Sequence, residues 1–286
     1  MIGWRNGEWV ELPAGAEVSA LHAGPSLFET FALRDGSIEC LPDHLARLHL
    51  ACPRLGLDPT RLVLGAAANP VAWLGPVRGL MARTGLTDAV LRLMVAARPD
   101  GMATEWLTAR PLPATPAAMD LFILGTRRNA PEWLPRPKSG PWRNSSDAWR
   151  ELRGFANRPN AEGIQLDAQG SVSECTRSSL AWWDGAAWCF PAVATGRLSG
   201  TAAAQFRGVL GTAGRAVRDV ASPFPVHAES IVVLRSTFAG GATLAASVSD
   251  ERRATIWTAN KHQLEAMDML AALAAWRAQR CIISMS

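Results

Sequence analysis

Residues 161–174 read Ala161-Glu-Gly-Ile-Gln-Leu-Asp-Ala-Gln-Gly-Ser-Val-Ser-Glu174. Ile164-Gln-Leu-Asp alternates apolar and polar side chains and predicts a strand, Gln169-Gly170 a turn, and Val172-Ser-Glu a second strand that ends on a carboxylate. An acid entering an otherwise apolar sheet region needs a cationic partner, and a protonated ring nitrogen is one such partner.

Downstream, Asp184-Gly185 separates Leu180-Ala-Trp-Trp from Trp188-Cys-Phe and predicts a two-residue hairpin. A helix beginning near Gly200, a strand over Ser230–Arg235 and a helix over about Asn260–Ala278 complete that half. Upstream, the spacing predicts a helix over about Ser145–Ala156 and a strand at Met119-Asp-Leu-Phe-Ile-Leu. Between them lies a stretch from Gly125 to Gly140 carrying Pro131, Pro135 and Pro137, the best linker in the chain.

Nearer the start, Asn6-Gly7 and Asp35-Gly36 are hairpin dipeptides. Leu45, Leu48, Cys52 and Leu55 follow helical spacing behind Pro42-Asp43, with Pro53 as a kink or early end. Residues 71–84 predict a helix stopped by Gly85, and Ala89–Ala97 a buried strand; Pro111, Pro113 and Pro116 then punctuate an edge strand or connection. Strands and helices mix without strict alternation, which predicts an α+β fold with residues 1–127 as a smaller domain, 128–137 as linker and 138–286 as a larger domain.

The chain has 286 residues, 48% hydrophobic and 19% charged, with mean hydropathy near zero, so disorder is excluded as the main state. No apolar run approaches the roughly 18 residues a membrane span needs. The start lacks a basic segment followed by an apolar one, and a cytoplasmic protein without a membrane partner is expected. A net charge of +4 with no basic run sets nucleic acid aside. Five scattered cysteines without C-x-x-C spacing predict reduced thiols and no metal site. Tyrosine is absent, tryptophan occurs 12 times, and the only lysines are Lys138 and Lys261. Almost all positive charge is arginine, a bias that looks like base composition.

Lys138, in Pro-Arg-Pro-Lys-Ser-Gly-Pro, reads as a nucleophile and proton shuttle once burial lowers its pKa, or as a solvated linker lysine. Gly196-Arg-Leu-Ser-Gly-Thr opens a helix whose N-terminal N–H groups suit a phosphate, although glycines precede many helices. Ser236-Thr237 read as a second anion contact or as a simple turn. Arg47 is a surface arginine or a phosphate ligand.

Taken in order, these residues resemble the fold-type IV, pyridoxal-phosphate-dependent family of branched-chain and D-amino-acid aminotransferases and 4-amino-4-deoxychorismate lyase. Gly24-Pro-Ser-Leu-Phe-Glu-Thr is similar to its G-x-x-x-F-E-T segment, and His44-Leu-Ala-Arg-Leu to its H-x-x-R-L helix. Leu91-Arg-Leu-Met-Val resembles the strand closing its small domain, residues 161–174 its G-x-x-E-G/A-hydrophobic-L-D-x-x-G-x-V-x-E run, and Gly196–Thr201 its phosphate turn.

The resemblance implies a two-domain architecture with pyridoxal 5'-phosphate in a cleft between the domains. It implies Lys138 as the Schiff-base lysine and Glu174 as the partner of the pyridine nitrogen. Arg47, Gly200, Thr201, Ala202, Ser236 and Thr237 are implied around the phosphate, with Thr30 and Arg98 at the substrate; Arg98 also reads as a surface arginine. Departures are Ser179 where the family has Asn, Ala203 where it commonly has Arg, and a longer segment between Lys138 and Asn144. The implied activity is amino-group transfer between an amino acid and a 2-oxo acid, in a homodimer. The alternatives are β-elimination from 4-amino-4-deoxychorismate, to which Thr30 points, and a degenerate binding protein, to which the departures point.

Overall fold

The computed structural model describes residues 2–11, 26–64, 71–98, 100–129, 136–140, 143–260, 263–280 and 282–284. Gly24, Lys261, Cys281, and Pro131 and Pro135 of the expected linker lie outside them. The chain divides into two compact units, one of Met1–Pro113, Pro137–Trp142 and Arg277–Ser286, the other of Ala114–Arg136 and Arg143–Trp276.

The first unit is built on tight hairpins. Asn6 and Gly7 have φ of 46° and 101°, Asp35 and Gly36 48° and 67°. Positive φ at both central residues is the turn geometry that matches strand twist, and the pairs Arg5↔Glu8 and Arg34↔Ser37 close on two-residue loops. The antiparallel sheet runs Ile282–Ser284, Ser37–Glu39, Ser26–Arg34, Ala89–Ala97, Ala103–Pro111, Ile2–Arg5, Glu8–Glu11, with Ser139–Gly140 also paired to Ser26–Arg34. Helix Leu41–Ala51 buries Leu41, His44, Leu45 and Leu48 on one stripe. Pro53 lies in the short 3-10 turn that follows, closed by Gly56 at φ 67°. Helix Val71–Thr84 adds Trp73, Val77 and Leu80 to the same core, where the Trp73 ring meets Phe31 edge-on at 5.3 Å.

The second unit holds a mixed sheet in the order Val172–Cys175, Ala161–Leu166, Ala118–Ile123, Ala242–Ser249, Ser230–Leu234, Ser179–Trp183, Trp188–Pro191, Val217–Val220; Thr255–Thr258 adds to Ala242–Ser249. Ala118–Ile123 pairs in parallel with strands on both sides. Leu180 and Trp182 face one core with Met119, Ile231 and Val233. Ala181 faces the other, with Phe206 of helix Thr201–Thr212 and Leu273 of helix Leu264–Arg280. This is the two-residue periodicity of a sheet covered on both sides.

Two sequence expectations differ in detail. Because Ala118–Ile123 hydrogen-bonds wholly within the second sheet, the units part at Pro113 and Ala114, where residue 127 was the expected boundary. Residues 137–142 return to the first unit because Ser139–Gly140 pairs with Ser26–Leu27. The hairpin at Asp184 closes at Trp183↔Trp188 and so has a four-residue loop, because the Asp184 carboxylate accepts from the N–H groups of Ala186 and Ala187 at 2.9 and 2.8 Å. Among the described residues no helix is long and apolar enough to cross a membrane.

Candidate active site

In the first unit, the strand Ser26–Arg34 carries Glu29, buried at 1% exposure. His44 and Arg47, three residues apart on one helix face, both reach it. His44 Nδ1 lies 2.7 Å from Glu29 Oε2, and Arg47 donates from Nε at 2.8 Å and from Nη2 at 2.5 Å. Burial raises the Glu29 pKa, yet the Arg47 charge and the hydrogen bonds from Arg47 and His44 overcome it and bring the carboxyl down to about 2. Burial also dominates at His44, whose pKa falls below its ordinary 6.5 despite the Glu29 contact. His44 is therefore neutral at pH 7, with its Nδ1–H on the carboxylate.

Lys138 sits in the same unit. Its carbonyl accepts from the Phe28 N–H at 3.0 Å, its Nζ lies 4.8 Å from the Phe28 ring centroid, and its charge contributes to keeping His44 neutral. Thr30 pairs with Arg92 across the neighbouring strand. Arg98 lies in the turn after Ala89–Ala97, with its guanidinium half exposed and 2.7 Å from Asp100.

In the second unit Glu174 is 6% exposed. A register shift between Val172 and Glu174 places Ser173 in a bulge. Glu174 Oε1 accepts from Arg128 Nη2 at 2.8 Å and from Arg136 Nη2, and Oε2 from the Leu198 N–H at 3.2 Å. Arg128, 3% exposed, is pinned by its Nη1 to Asn144 Oδ1 and Ser145 Oγ, both at 3.1 Å. Burial brings its pKa down to about 10, with Glu174 acting against that shift.

Leu198 belongs to the glycine turn. Gly196 takes φ 81°, and Gly200 caps helix Thr201–Thr212 without a side-chain hydrogen bond. A Cβ at Gly200 would meet Ser179 Oγ, so that hydroxyl would have to turn aside to admit one. The helix begins at Thr201 directly behind this turn, so the positive end of its dipole is presented there. Ser236 and Thr237 follow the strand Ser230–Leu234, and Thr237 is buried.

A second buried carboxylate, Glu162, accepts from Thr176 Oγ1, the Arg177 N–H at 2.7 Å, Ser178 Oγ at 3.2 Å and Arg235. Arg235 Nε also donates to Ser178 Oγ at 2.9 Å. Sequence reasoning singles out neither this cluster nor Arg128, Arg136, Glu29 and His44 as site groups. Glu29, His44 and Glu162 stand inside quoted motifs, and Arg128 and Arg136 stand in the linker, where an arginine excess that reads as base composition hides them.

Residues 26–238 match the amino-transferase class IV family. The chain belongs to that family. Class IV aminotransferases are enzymes that use pyridoxal phosphate. Aminodeoxychorismate lyase of Bacillus subtilis (strain 168) is 28% identical over 185 residues, 62% of this chain and 61% of the relative, so the match spans less than two thirds of that protein. In fold, the chain is similar to a branched-chain aminotransferase from Thermoproteus uzoniensis, with TM-score 0.77, 17% identity and 100% and 99% of the two chains covered. It is also similar to 4-amino-4-deoxychorismate lyase from Pseudomonas aeruginosa, with TM-score 0.70, 20% identity and 94% and 97% covered.

The second unit fits the family's cofactor at both ends. A buried carboxylate suits a protonated ring nitrogen, and a helix N-terminus opened by a glycine turn suits a phosphate. The Leu198 N–H joins the two. Among the described residues no group of three or more His, Cys, Asp or Glu is placed to hold a metal ion.

Proposed function

We propose that the chain catalyses pyridoxal-phosphate-dependent amino-group transfer between an amino acid and a 2-oxo acid. The observation that carries this reading is the Leu198 N–H bonded to Glu174 Oε2 at 3.2 Å, which couples the carboxylate to the glycine turn. When bound, pyridoxal phosphate supplies an aldehyde that bonds an amine and a ring that withdraws electrons from the amino acid's α-carbon.

Glu174 holds a proton at the ring nitrogen, and Arg128, fixed by Asn144 and Ser145, holds Glu174 in place. The N–H groups at Gly200, Thr201 and Ala202 bind the phosphate, with the hydroxyls of Ser236 and Thr237 beside them. Arg47 adds a guanidinium oriented by Glu29. Lys138 supplies the amine and then moves the α-proton. Its Nζ lies over the Phe28 ring, 4.8 Å from the centroid, in the same unit as Arg47. Thr30 faces the substrate; Arg98 is committed to Asp100 and contributes less. The enzyme works as a homodimer in the cytoplasm on small-molecule amino and oxo acids.

A second reading, β-elimination from 4-amino-4-deoxychorismate with release of pyruvate, is favoured by the likeness to the Bacillus subtilis lyase and by Thr30 in the Phe-Glu-Thr segment. Reconstituted protein is expected to show a visible band that borohydride removes and that Lys138→Ala lacks. Turnover that requires a 2-oxo acid acceptor supports transfer, and pyruvate release without an acceptor supports the lyase. A Lys138→Ala protein that keeps the borohydride-sensitive band overturns the assignment of Lys138.

A further inference from the structure

Arg136 is the last residue of its segment in the second unit, and its backbone bridges in parallel to Leu198. The bridge brings two donors to one carboxylate, Arg136 Nη2 on Oε1 and the Leu198 N–H on Oε2. Arg128 also lies on Oε1. A carboxylate offers about four lone-pair directions, so Oε1 is fully used by guanidinium groups.

The two arginines are held differently. Arg128 is 3% exposed and is tied at Nη1 to Asn144 and Ser145. The Arg136 side chain is 17% exposed, its Nη2 is on Glu174, and its Nε is buried with no hydrogen-bond partner. The Nε of Arg128 is likewise buried without a hydrogen-bond partner, so what separates the two is the second anchor: Arg128 is fixed at both terminal nitrogens, whereas Arg136 is more exposed and is anchored through Nη2.

We propose that Arg136 occupies the position on Glu174 that the pyridine nitrogen takes, so that seating the ring requires the Arg136 guanidinium to leave. The proposal rests on the assignment of Glu174 to the ring nitrogen. Oε1 already accepts from two guanidinium groups, so a protonated pyridine arriving there would be a third cationic donor with no lone-pair direction of that oxygen left to it. With Arg136 displaced, Arg128 and the Leu198 N–H still hold Glu174 ionised and aimed. Arg136 is then a positioning residue that sets cofactor affinity through Glu174.

The test is equilibrium binding of pyridoxine 5'-phosphate, which has the ring nitrogen and phosphate but no aldehyde, beside benzyl phosphate, which lacks the nitrogen. Arg136→Gln is expected to bind pyridoxine 5'-phosphate about ten-fold more tightly than wild type, the worth of one charge-assisted hydrogen bond, with benzyl phosphate unchanged. In Glu174→Gln the same substitution is expected to have no effect. Unchanged or weaker pyridoxine 5'-phosphate binding by Arg136→Gln, or an equal gain for both ligands, overturns the proposal and leaves the assignment of Glu174 standing. Equal affinity of wild type and Glu174→Gln for pyridoxine 5'-phosphate overturns both. If Arg136→Gln does not fold, phenylglyoxal labelling of wild type decides: modification of Arg136, mapped by mass spectrometry, is expected to rise when pyridoxine 5'-phosphate saturates, and no rise overturns the proposal.

Discussion

Arg47 grips the buried Glu29 through two nitrogens, Nε at 2.8 Å and Nη2 at 2.5 Å, so the arginine expected at a phosphate is oriented from behind by a carboxylate. The same carboxylate holds His44. A buried charge of this kind is costly to orphan, because either partner alone faces a medium that solvates it poorly. Glu29→Gln is expected to destabilise the protein by about 3 kcal/mol, read as a lower denaturation midpoint at pH 7.

The pH dependence follows from the same pair. Folding lowers the Glu29 pKa from 4.5 to about 2, so its contribution is fully present above pH 4.5 and is lost as pH falls through about 2. The stability gap between wild type and Glu29→Gln is therefore expected to shrink across that window. A gap that stays constant from pH 5 to pH 2 would show that Glu29 titrates as an ordinary carboxylate.

His44 acts at milder pH. Its folded pKa lies below 6.5, so the unfolded chain binds the proton more readily and stability falls as pH drops below 6.5. His44→Gln keeps a polar group near Glu29 but does not titrate, and its stability is expected to vary less between pH 7 and pH 5.5. Urea midpoints at the two pH values check this, and equal slopes for the two proteins would refute it.

What the sequence makes legible is local. Asn6-Gly7 and Asp35-Gly36 demand φ values that only a tight hairpin supplies, and 161–174 alternates as a paired strand must. The glycine turn before helix Thr201–Thr212 and the acid at Glu174 are visible for the same reason. Ala242–Ser249 is not announced, because Ala, Thr, Leu, Val and Ser in a strand bonded on both sides show no clean alternation. The partners of Glu174 are hidden more deeply. Arg136 lies 38 residues away in a proline-bearing stretch that reads as linker, and nothing local marks it among so many arginines. The expected partner was a ring nitrogen, and the chain supplies two of its own cations to the same oxygen.

Gly200 and Ser179 test the glycine turn. A methyl group at 200 would overlap Ser179 Oγ, and one of the two must move. Gly200→Ala is expected to cost about 1–3 kcal/mol, as overpacking does, and to weaken inorganic phosphate binding by displacing the helix N-terminus. Removing the obstructing oxygen should reverse this, so the double variant Ser179→Ala/Gly200→Ala is expected to regain most of the stability and phosphate affinity. A double variant as impaired as Gly200→Ala alone would place the defect in backbone conformation, although Gly200 at φ −69° adopts an angle open to any residue.

Glu162 is fully buried and Arg235 is its cationic partner, with Ser178 touching both. Replacing Arg235 by Met preserves length and removes the charge, leaving a buried carboxylate held only by Thr176, Ser178, the Arg177 backbone and a distant Arg177 guanidinium at 3.7 Å. The expected loss is about 3–5 kcal/mol, measured by chemical denaturation. Neutralising the acid as well removes the orphaned charge, so Glu162→Gln/Arg235→Met is expected to be more stable than Arg235→Met alone. If the double variant is instead the weaker, the stabilisation resides in the hydroxyl and backbone bonds to Glu162, and Arg235 serves the neighbouring Ser236-Thr237 turn by packing over the Phe238 ring, 4.5 Å from its centroid.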